Sequence, residues 1–516
     1  MPEKNKEPNV EEINEVLTKR AIAFPTAEIY GGVAGIYEYG PVGTMIRQKI
    51  MSLWRSFFVW SEDNVFEIEG SLLLPEPVFK ASGHLDTFND PLVQCEKCKS
   101  MFRADHLVED TTGERADALS LEELEAKIKE LNIKCPKCGG PLGEPRQFNL
   151  MFGTYIGATK GHPAYLRPET AQNIFLDFRR VAHAMRATLP FAIAQIGRSF
   201  RNEIAPRNFL VRMREFTQME LEIFAHPEQL NDHPNFYEVE DKIIRLLTRE
   251  MQKKGETEPM SLTIKEAFEK RYIPNQFMAY YIAKEAMFIE ELGIPTDNFW
   301  FRELLEEETA HYSAANFDLE IKTPMGIIEC VGNAYRQDYD LSKHSKYSKT
   351  KLVIQYKNKP VVPHVVEPSF GLDRIFYILM LVSYRGEEDR KWSWFKLPPH
   401  IAPFHVKVCP LMKKDGLDDA AYEIYQELKD SFDVIYDQTG SIGKRYARAD
   451  EIGIPYCITI DYNTLENDTV TIRDRDTMEQ IRVSHEDLDE VLSLLIDEGE
   501  SWENIKEDFG LPEPKE

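Results

Sequence analysis

The chain has 516 residues, 42% of them hydrophobic, which at roughly 150 residues per domain suits two to four packed domains. Its formal net charge of −25 argues against nonspecific affinity for phosphate backbones, which comes from Lys and Arg, but leaves a local basic face and specific RNA recognition open. No apolar run approaches the about 20 residues of a membrane span, Met1 to Glu7 is polar with no secretory core, and 7 cysteines make no fully paired disulfide framework, so a cytoplasmic protein with no membrane partner is expected.

From the front, Pro25 to Tyr39 is rich in Gly and aromatic residues and ends at Gly40-Pro41, which predicts a structured loop. Val42, Met45, Ile46, Ile50, Leu53, Trp54 and Phe57 recur at three- and four-residue spacing and predict an amphipathic helix. A short strand, Val65 to Ile68, and the stretch Ser71-Leu72-Leu73-Leu74-Pro75-Glu76-Pro77 follow.

Four cysteines come next, as two pairs, Cys95-x-x-Cys98 and Cys135-x-x-Cys138. Two thiolates on a knuckle share one soft cation, and two knuckles complete a tetrahedral site with no open position, so a structural zinc is expected; the alternative is a set of reduced thiols. An amphipathic stretch, Leu119 to Leu131, reads as a helix between the knuckles. Cys330, Cys409 and Cys457 lie in apolar or strand-like contexts and read as buried small residues.

In Tyr165-Leu166-Arg167-Pro168-Glu169-Thr170-Ala171-Gln172 a strand ends at the proline and a helix begins after it, which exposes Glu169 at the junction. Phe200-Arg201-Asn202-Glu203 is then separated by eight residues from Arg212-Met213-Arg214-Glu215-Phe216-Thr217-Gln218-Met219-Glu220-Leu221-Glu222. Read as a strand, the first segment points Arg201 and Glu203 the same way, and a hairpin brings two further arginines, an aromatic ring and more acids to meet them. Such a floor offers cations for a phosphate, a π-face for a flat base and a carboxylate for an amine. Residues 227–300 read as an inserted helical subdomain with no chemistry assigned.

Gly326 to Asn333 reads as a strand with a Gly turn, continuing through Arg336 into a polar loop at Tyr339 to His344. Glu329 at its end either holds Mg²⁺ on a triphosphate or pairs with Arg336 as a strand-edge acid. In Glu367-Pro368-Ser369-Phe370-Gly371-Leu372-Asp373-Arg374-Ile375, a strand runs into a helix whose first turn holds Arg374, where the macrodipole disfavours a cation, so a polyanion is expected nearby. After residue 404, strands at His405–Leu411, Phe432–Asp437 and Tyr456–Ile460 alternate with helices near Asp418–Lys429 and Gly443–Ile452. Two short strands around Arg473 to Asp476 and a closing helix near Glu486–Asp497 complete a mixed α/β domain. Lys444, Arg445 and Arg448 make a basic start to its second helix, either an RNA contact or a solvated face.

The helix–strand–proline stretch, the 200–222 hairpin and the 367–375 strand–helix, in that order, resemble motifs 1, 2 and 3 of class II aminoacyl-tRNA synthetases. The flanks at 20–41, 165–172 and 326–344 resemble the dimeric glycyl-tRNA synthetases of the archaeal and eukaryotic type. Asn173 and Asp373 depart from that pattern, where the family more often has Gly, and either Pro75 or Pro77 matches the motif 1 proline.

The resemblance implies an α+β catalytic domain with an antiparallel sheet flanked by helices, a zinc-knuckle insertion and a C-terminal mixed α/β domain. The implied divisions are 1–93 with motif 1, 94–147 for zinc, 148–226 with motif 2, a helical insertion at 227–300, 301–403 with motif 3, and an anticodon-binding domain at 404–516. It implies a homodimer that ligates glycine to tRNA(Gly) with ATP, Mg²⁺ and a structural Zn²⁺. Arg201 would bind the α-phosphate and stabilise developing charge. Arg212 or Arg214, with Arg374, would hold the outer phosphates, and Phe216 and Arg374 would sandwich adenine. Glu203 would read the adenine amine, and Glu329 the Mg²⁺. Glu169, Glu220, Glu367 and Ser369 would surround the glycine ammonium; Cys95, Cys98, Cys135 and Cys138 would hold zinc; Lys444, Arg445 and Arg448 would meet tRNA. The rival readings are a prolyl, threonyl or histidyl enzyme, which the acid-lined flanks disfavour, and a non-enzymatic paralogue, which would have lost Arg201, Glu203 and Arg374.

Overall fold

The computed structural model describes residues 9–114, 116, 119–158, 161–310, 312–386 and 390–512. The polar start at Met1 to Glu7 lies outside them. Nine strands form the central sheet: β1 (Val65–Glu67), β2 (Phe191–Phe200), β3 (Glu215–Ala225), β4 (Ile243–Leu247), β5 (Met260–Thr263), β6 (Phe299–Glu303), β7 (Asn316–Thr323), β8 (Gly326–Gln337) and β9 (His364–Gly371). Their order is β5-β4-β6-β7-β8-β9-β3-β2-β1. The body of the sheet is antiparallel, and only the β1–β2 and β4–β6 pairs are parallel.

Strand alternation divides β3 between two tasks. Met219, Leu221 and Ile223 face the main core, where helices Pro41–Arg55, Gln276–Glu291 and Leu372–Ser383 bury Ile46, Ile50, Trp54, Phe288 and Phe376. Gln218, Glu220 and Glu222 face the opposite side, where helix Ala171–Ala184 packs through Phe175 and Phe178.

Four local expectations are corrected. Residues 227–300 are no helical subdomain: they supply β4 and β5 to the sheet, and helix Gln276–Glu291 belongs to the main core. That helix is apolar on nearly every face because it is enclosed. Strand β2 ends at Phe200, so Arg201 and Glu203 lie in the turn beyond it, where the Glu203 amide donates to the Arg201 carbonyl at 2.7 Å. Gly332 is no turn but lies within β8, opposite Asp318, and residues 339–348 form a helix.

The cysteine insertion carries strands Asn89–Gln94, Met101–Arg103 and Arg146–Asn149 as a small sheet. Helices Ala104–Thr112 and Leu121–Glu130 close over it on Val93, Leu107, Leu124 and Ile128. The C-terminal unit is a five-stranded sheet of β10 (Val406–Pro410), β11 (Val434–Tyr436), β12 (Tyr456–Ile460), β13 (Thr469–Asp474) and β14 (Gln480–Ser484), in the order β11-β10-β12-β13-β14. β10 is parallel to both neighbours, and β12, β13 and β14 run antiparallel in sequence. A helix at Trp502–Phe509, beyond the expected closing helix, packs its buried Ile505 on this unit. Among the described residues no helix is long and apolar enough to cross a membrane.

Candidate active site

A cleft of about 350 Å³ lies on the polar face of β3, β8 and β9. Glu220 on β3, Ser369 on β9 and Gly332 on β8 stand side by side in register. Ser369 Oγ donates to Glu220 Oε1 at 2.7 Å, Gln218 Nε2 donates to the same oxygen at 2.8 Å, and Thr170 Oγ1 donates to Oε2. Glu169 enters from the turn before helix Ala171–Ala184 and accepts from Gln172 Nε2 at 2.7 Å. Glu367 on β9 completes the group, so Glu169, Glu220, Glu367 and Ser369 all line one end of the cleft.

One cation holds these acids together. Arg336, buried on β8, donates from Nη1 to Glu367 at 2.7 Å and from Nε and Nη2 to Asp340 at 2.7 and 3.1 Å. Its guanidinium lies 4.0 Å from the Tyr312 ring centre, and Nη2 stands 4.0 Å from Glu169. Burial pushes the Glu367 carboxyl up to about 7, and Arg336 pulls against that rise. Burial and then Glu169 also raise Glu220. Glu169 itself is held low: burial opposes its charge, but His84, 3.6 Å away, and Arg336 outweigh it.

At the other end the arginines take different places. The Arg201 guanidinium lies 5.2 Å from the Phe216 ring centre and 5.4 Å from that of Phe88. Arg212 lines the cleft. Arg214 does not: it donates to the Glu203 carbonyl at 3.0 and 2.8 Å and to the Ala34 carbonyl at 2.9 Å, which pins two loops together. Arg374, third residue of helix Leu372–Ser383, donates to the carbonyls of Val211 at 3.1 Å and Glu329 at 3.0 Å. The Glu329 carboxylate pairs with Arg374 at 3.4 Å, not with Arg336 as its alternative reading had it. Asp373 accepts from Tyr39 Oη at 2.5 Å and from the Thr217 amide at 2.6 Å, with Arg47 at 3.2 Å, so this departure from the motif braces β3. Asn173 accepts from Arg167 Nη1 at 3.0 Å and donates to the Ser71 carbonyl at 3.3 Å.

The four knuckle cysteines converge, their sulfurs all within 4.8 Å of one another. The Cys95–Cys138 and Cys98–Cys135 sulfurs are 3.6 Å apart. A tetrahedral zinc with bonds of about 2.3 Å sets its sulfurs about 3.8 Å apart, so the donor set fits that ion. Cys330, Cys409 and Cys457 are buried, as expected.

The basic cluster of the C-terminal unit divides. Lys444 is exposed on helix Ile442–Asp450. Arg445 is buried and donates to the carbonyls of Pro410, of Gln438 at 3.0 Å and of Gly440 at 2.6 Å, so it faces the fold and not a phosphate. Arg448 donates to Asp437 at 3.0 and 2.6 Å.

Sequence reasoning missed several groups here. Glu222 is fully buried beside Glu367 with no hydrogen-bond partner on either oxygen, and burial, then Glu367, hold its carboxyl well above the usual range. Its place after Gln218 and Glu220 at period 2 was the signal for it. Asp318, which lines the cleft, is pushed up to about 8 by burial and by Glu329. Neither Asp318 nor Tyr312 stands in a motif that would mark it.

Comparison with known proteins agrees with this geometry. Residues 156–382 match the tRNA synthetase class II core domain (G, H, P, S and T), and residues 405–494 the anticodon binding domain. The glycine–tRNA ligase of Pyrococcus furiosus is 42% identical, covering 94% of this chain and 99% of that protein. The one from Aeropyrum pernix is 40% identical over 96% of this chain and 98% of its own length. A prolyl-tRNA synthetase of Giardia lamblia, solved with prolyl-adenylate, superposes with a TM-score of 0.60 at 15% identity, over 93% of this chain and 74% of that one. That of Cryptosporidium parvum, with L-proline and AMP, gives 0.58 at 13% identity, over 94% and 77%. At such identities the structural likeness speaks for the fold alone, whereas the sequence relatives fix the family. With its class II core and anticodon-binding domain, this chain belongs to the glycine–tRNA ligase family.

Proposed function

We propose that the cleft activates glycine with ATP, forming glycyl-adenylate and pyrophosphate, and then passes the glycyl group to the 3′ end of tRNA(Gly). The observation that carries this reading is the convergence of Glu169, Glu220 and Glu367, with Ser369, at one end of a cleft whose other end holds Arg201, Arg212 and Arg374. Glycine has no side chain to recognise. Carboxylates around its ammonium supply the attraction, and the space they fill leaves none for a methyl group.

The chain's own residues then position the reactants. Phe216 and the Arg374 guanidinium sandwich the adenine, and Glu203, whose Oε2 has no hydrogen-bond partner, is left for the base amine. The glycine carboxylate oxygen attacks the α-phosphorus as the bond to the bridging oxygen of the leaving pyrophosphate breaks. Arg201 offers a fixed charge to the oxygens that gain charge, and no protein nucleophile is needed. Arg212 and Arg374 hold the outer phosphates. Glu329, which lines the cleft, would hold Mg²⁺, and the ion would neutralise phosphate oxygens there.

Zn²⁺ on Cys95, Cys98, Cys135 and Cys138 has a structural role in this reading, since a closed four-thiolate site leaves no position for substrate. Lys444 and Arg448 make the tRNA-facing part of the basic cluster. Exposed apolar side chains near the motif 1 segment, Trp60, Leu72 and Leu73, favour a homodimer. A reducing cytoplasmic setting suits seven unpaired cysteines. The test is aminoacylation: purified protein charges a tRNA(Gly) transcript with glycine and leaves a tRNA(Pro) transcript uncharged with proline, and the reverse outcome refutes the reading.

A further inference from the structure

Helix Ala104–Thr112 of the cysteine insertion leans on the loop between β2 and β3, and His106 makes the contact. Its Nδ1 is 3.1 Å from Arg207 Nη2 and its Nε2 is 3.2 Å from Arg212 Nη1. Arg207 is anchored in turn to Asp110 of the same helix at 3.4 Å. Both guanidinium groups only donate, and a neutral imidazole has one acceptor nitrogen, so it satisfies one arginine at a time. A protonated ring satisfies neither. Burial and the charge of Arg103 hold the ring neutral, at about 4.

Arg212, its side chain 31% exposed, therefore has in His106 an acceptor that it shares with Arg207. Arg103, Asp90 and Arg374 also act on it, and the acid it pairs with is Glu203, with Arg212 Nε 4.0 Å from Glu203 Oε2, beyond a hydrogen bond. Glu203 is buried, and that oxygen has no hydrogen-bond partner. Two opposite charges at that distance attract, and His106, an acceptor for Arg212 Nη1, competes with Glu203 for the guanidinium.

We propose that His106 is a positioning residue for the ATP site: it holds Arg212 off Glu203, leaving the guanidinium for outer phosphates and the carboxylate for the adenine amine. The metal-binding insertion thereby sets ATP affinity through one imidazole. An incoming triphosphate takes Arg212 from a partner that shares its acceptor with Arg207, and so the transfer breaks no strong pair. Without His106, Arg212 closes on Glu203, and ATP must separate them before it binds. The inference rests on Arg212 and Glu203 serving ATP as proposed above.

The test is pyrophosphate exchange on the full-length, zinc-loaded enzyme. His106→Phe keeps the bulk of the ring and removes the acceptor. It is expected to raise the KM for ATP about tenfold, as does His106→Ala, with the KM for glycine changed by less than about twofold. His106→Gln, whose Oε1 accepts from Arg212, is expected to return the KM for ATP to near the parent value. In an Arg212→Ala background His106→Phe is expected to add nothing further, because the effect passes through that arginine. An unchanged KM for ATP in zinc-loaded His106→Phe, where Arg212→Ala raises it, overturns the role of His106 and leaves Arg212 in place. An unchanged KM in Arg212→Ala refutes the assignment of Arg212 and the inference with it. Should His106→Ala lose its zinc, His106→Phe and His106→Gln decide the matter.

Discussion

Arg336 Nη1 donates to Glu367 Oε2 at 2.7 Å, and both side chains are buried. The same guanidinium serves Asp340, so one cation offsets a group of acids that would otherwise repel one another. Replacing it leaves buried carboxylates without a counter-charge, which costs about 3–5 kcal/mol. Arg336→Met is expected to lose stability on that scale in urea unfolding, and to raise the KM for glycine in the fraction that folds. A loss below about 1 kcal/mol would show that the acids are stabilised by something else.

The glycine pocket should titrate near neutrality. Burial lifts Glu367 to about 7, so the free enzyme carries it protonated below that pH and ionised above it. A glycine ammonium prefers the ionised form. The kcat/KM for glycine is therefore expected to rise with pH through about 7 and level off above, reporting the acid group as a unit. Glu367→Gln should flatten that rise. A pH-independent kcat/KM between about 6 and 8 in the parent enzyme would contradict the assignment.

Metal analysis of protein purified without chelator should return one zinc per chain. Cys135→Ser is expected to lose it and to lose hydrogen-exchange protection across helices Ala104–Thr112 and Leu121–Glu130, while helix Leu372–Ser383 stays protected. Equal protection with and without metal would mean that the insertion holds itself together through Val93, Leu107, Leu124 and Ile128 alone.

Lys444 and Arg445 are neighbours in sequence with opposite surroundings. Arg445→Ala leaves three carbonyls without their donor, at about 1–3 kcal/mol for each one left buried, so the C-terminal unit should melt earlier. Lys444→Ala should leave the Tm unchanged, raise the KM for tRNA and reduce the salt dependence of its binding. A Tm drop in Lys444→Ala, or a purely tRNA-specific defect in Arg445→Ala, would reverse the two roles.

What could be read from the sequence was what lies close together along it. The 200–222 hairpin, each Cys pair and the strand–helix at Arg374 sit within short segments that bring most of their marked side chains to one place, though Arg214 turns away to the Glu203 and Ala34 carbonyls. The alternation of Gln218, Glu220 and Glu222 with Met219, Leu221 and Ile223 even marks the polar face of β3. Groups brought in from a distance left no such trace. Arg336 serves Glu367, and His106 serves Arg212, across 31 and 106 positions. Residues 227–300 were misread because β4 and β5 are short strands at one end of the sheet and helix Gln276–Glu291, enclosed nearly all round, lacks a one-sided pattern. Arg445 looked like part of a basic face, but it stands four residues before the buried Ala449 and so shares its inward face.

The central claim is that this acid-lined cleft selects glycine. Pyrophosphate exchange with a panel of glycine, alanine, serine, proline and threonine tests it most directly. Strong exchange with glycine and weak or no exchange with the rest are expected, because Glu169, Glu220 and Glu367 hold an ammonium and leave no room beside it. Exchange with proline or threonine at the level of glycine would contradict it.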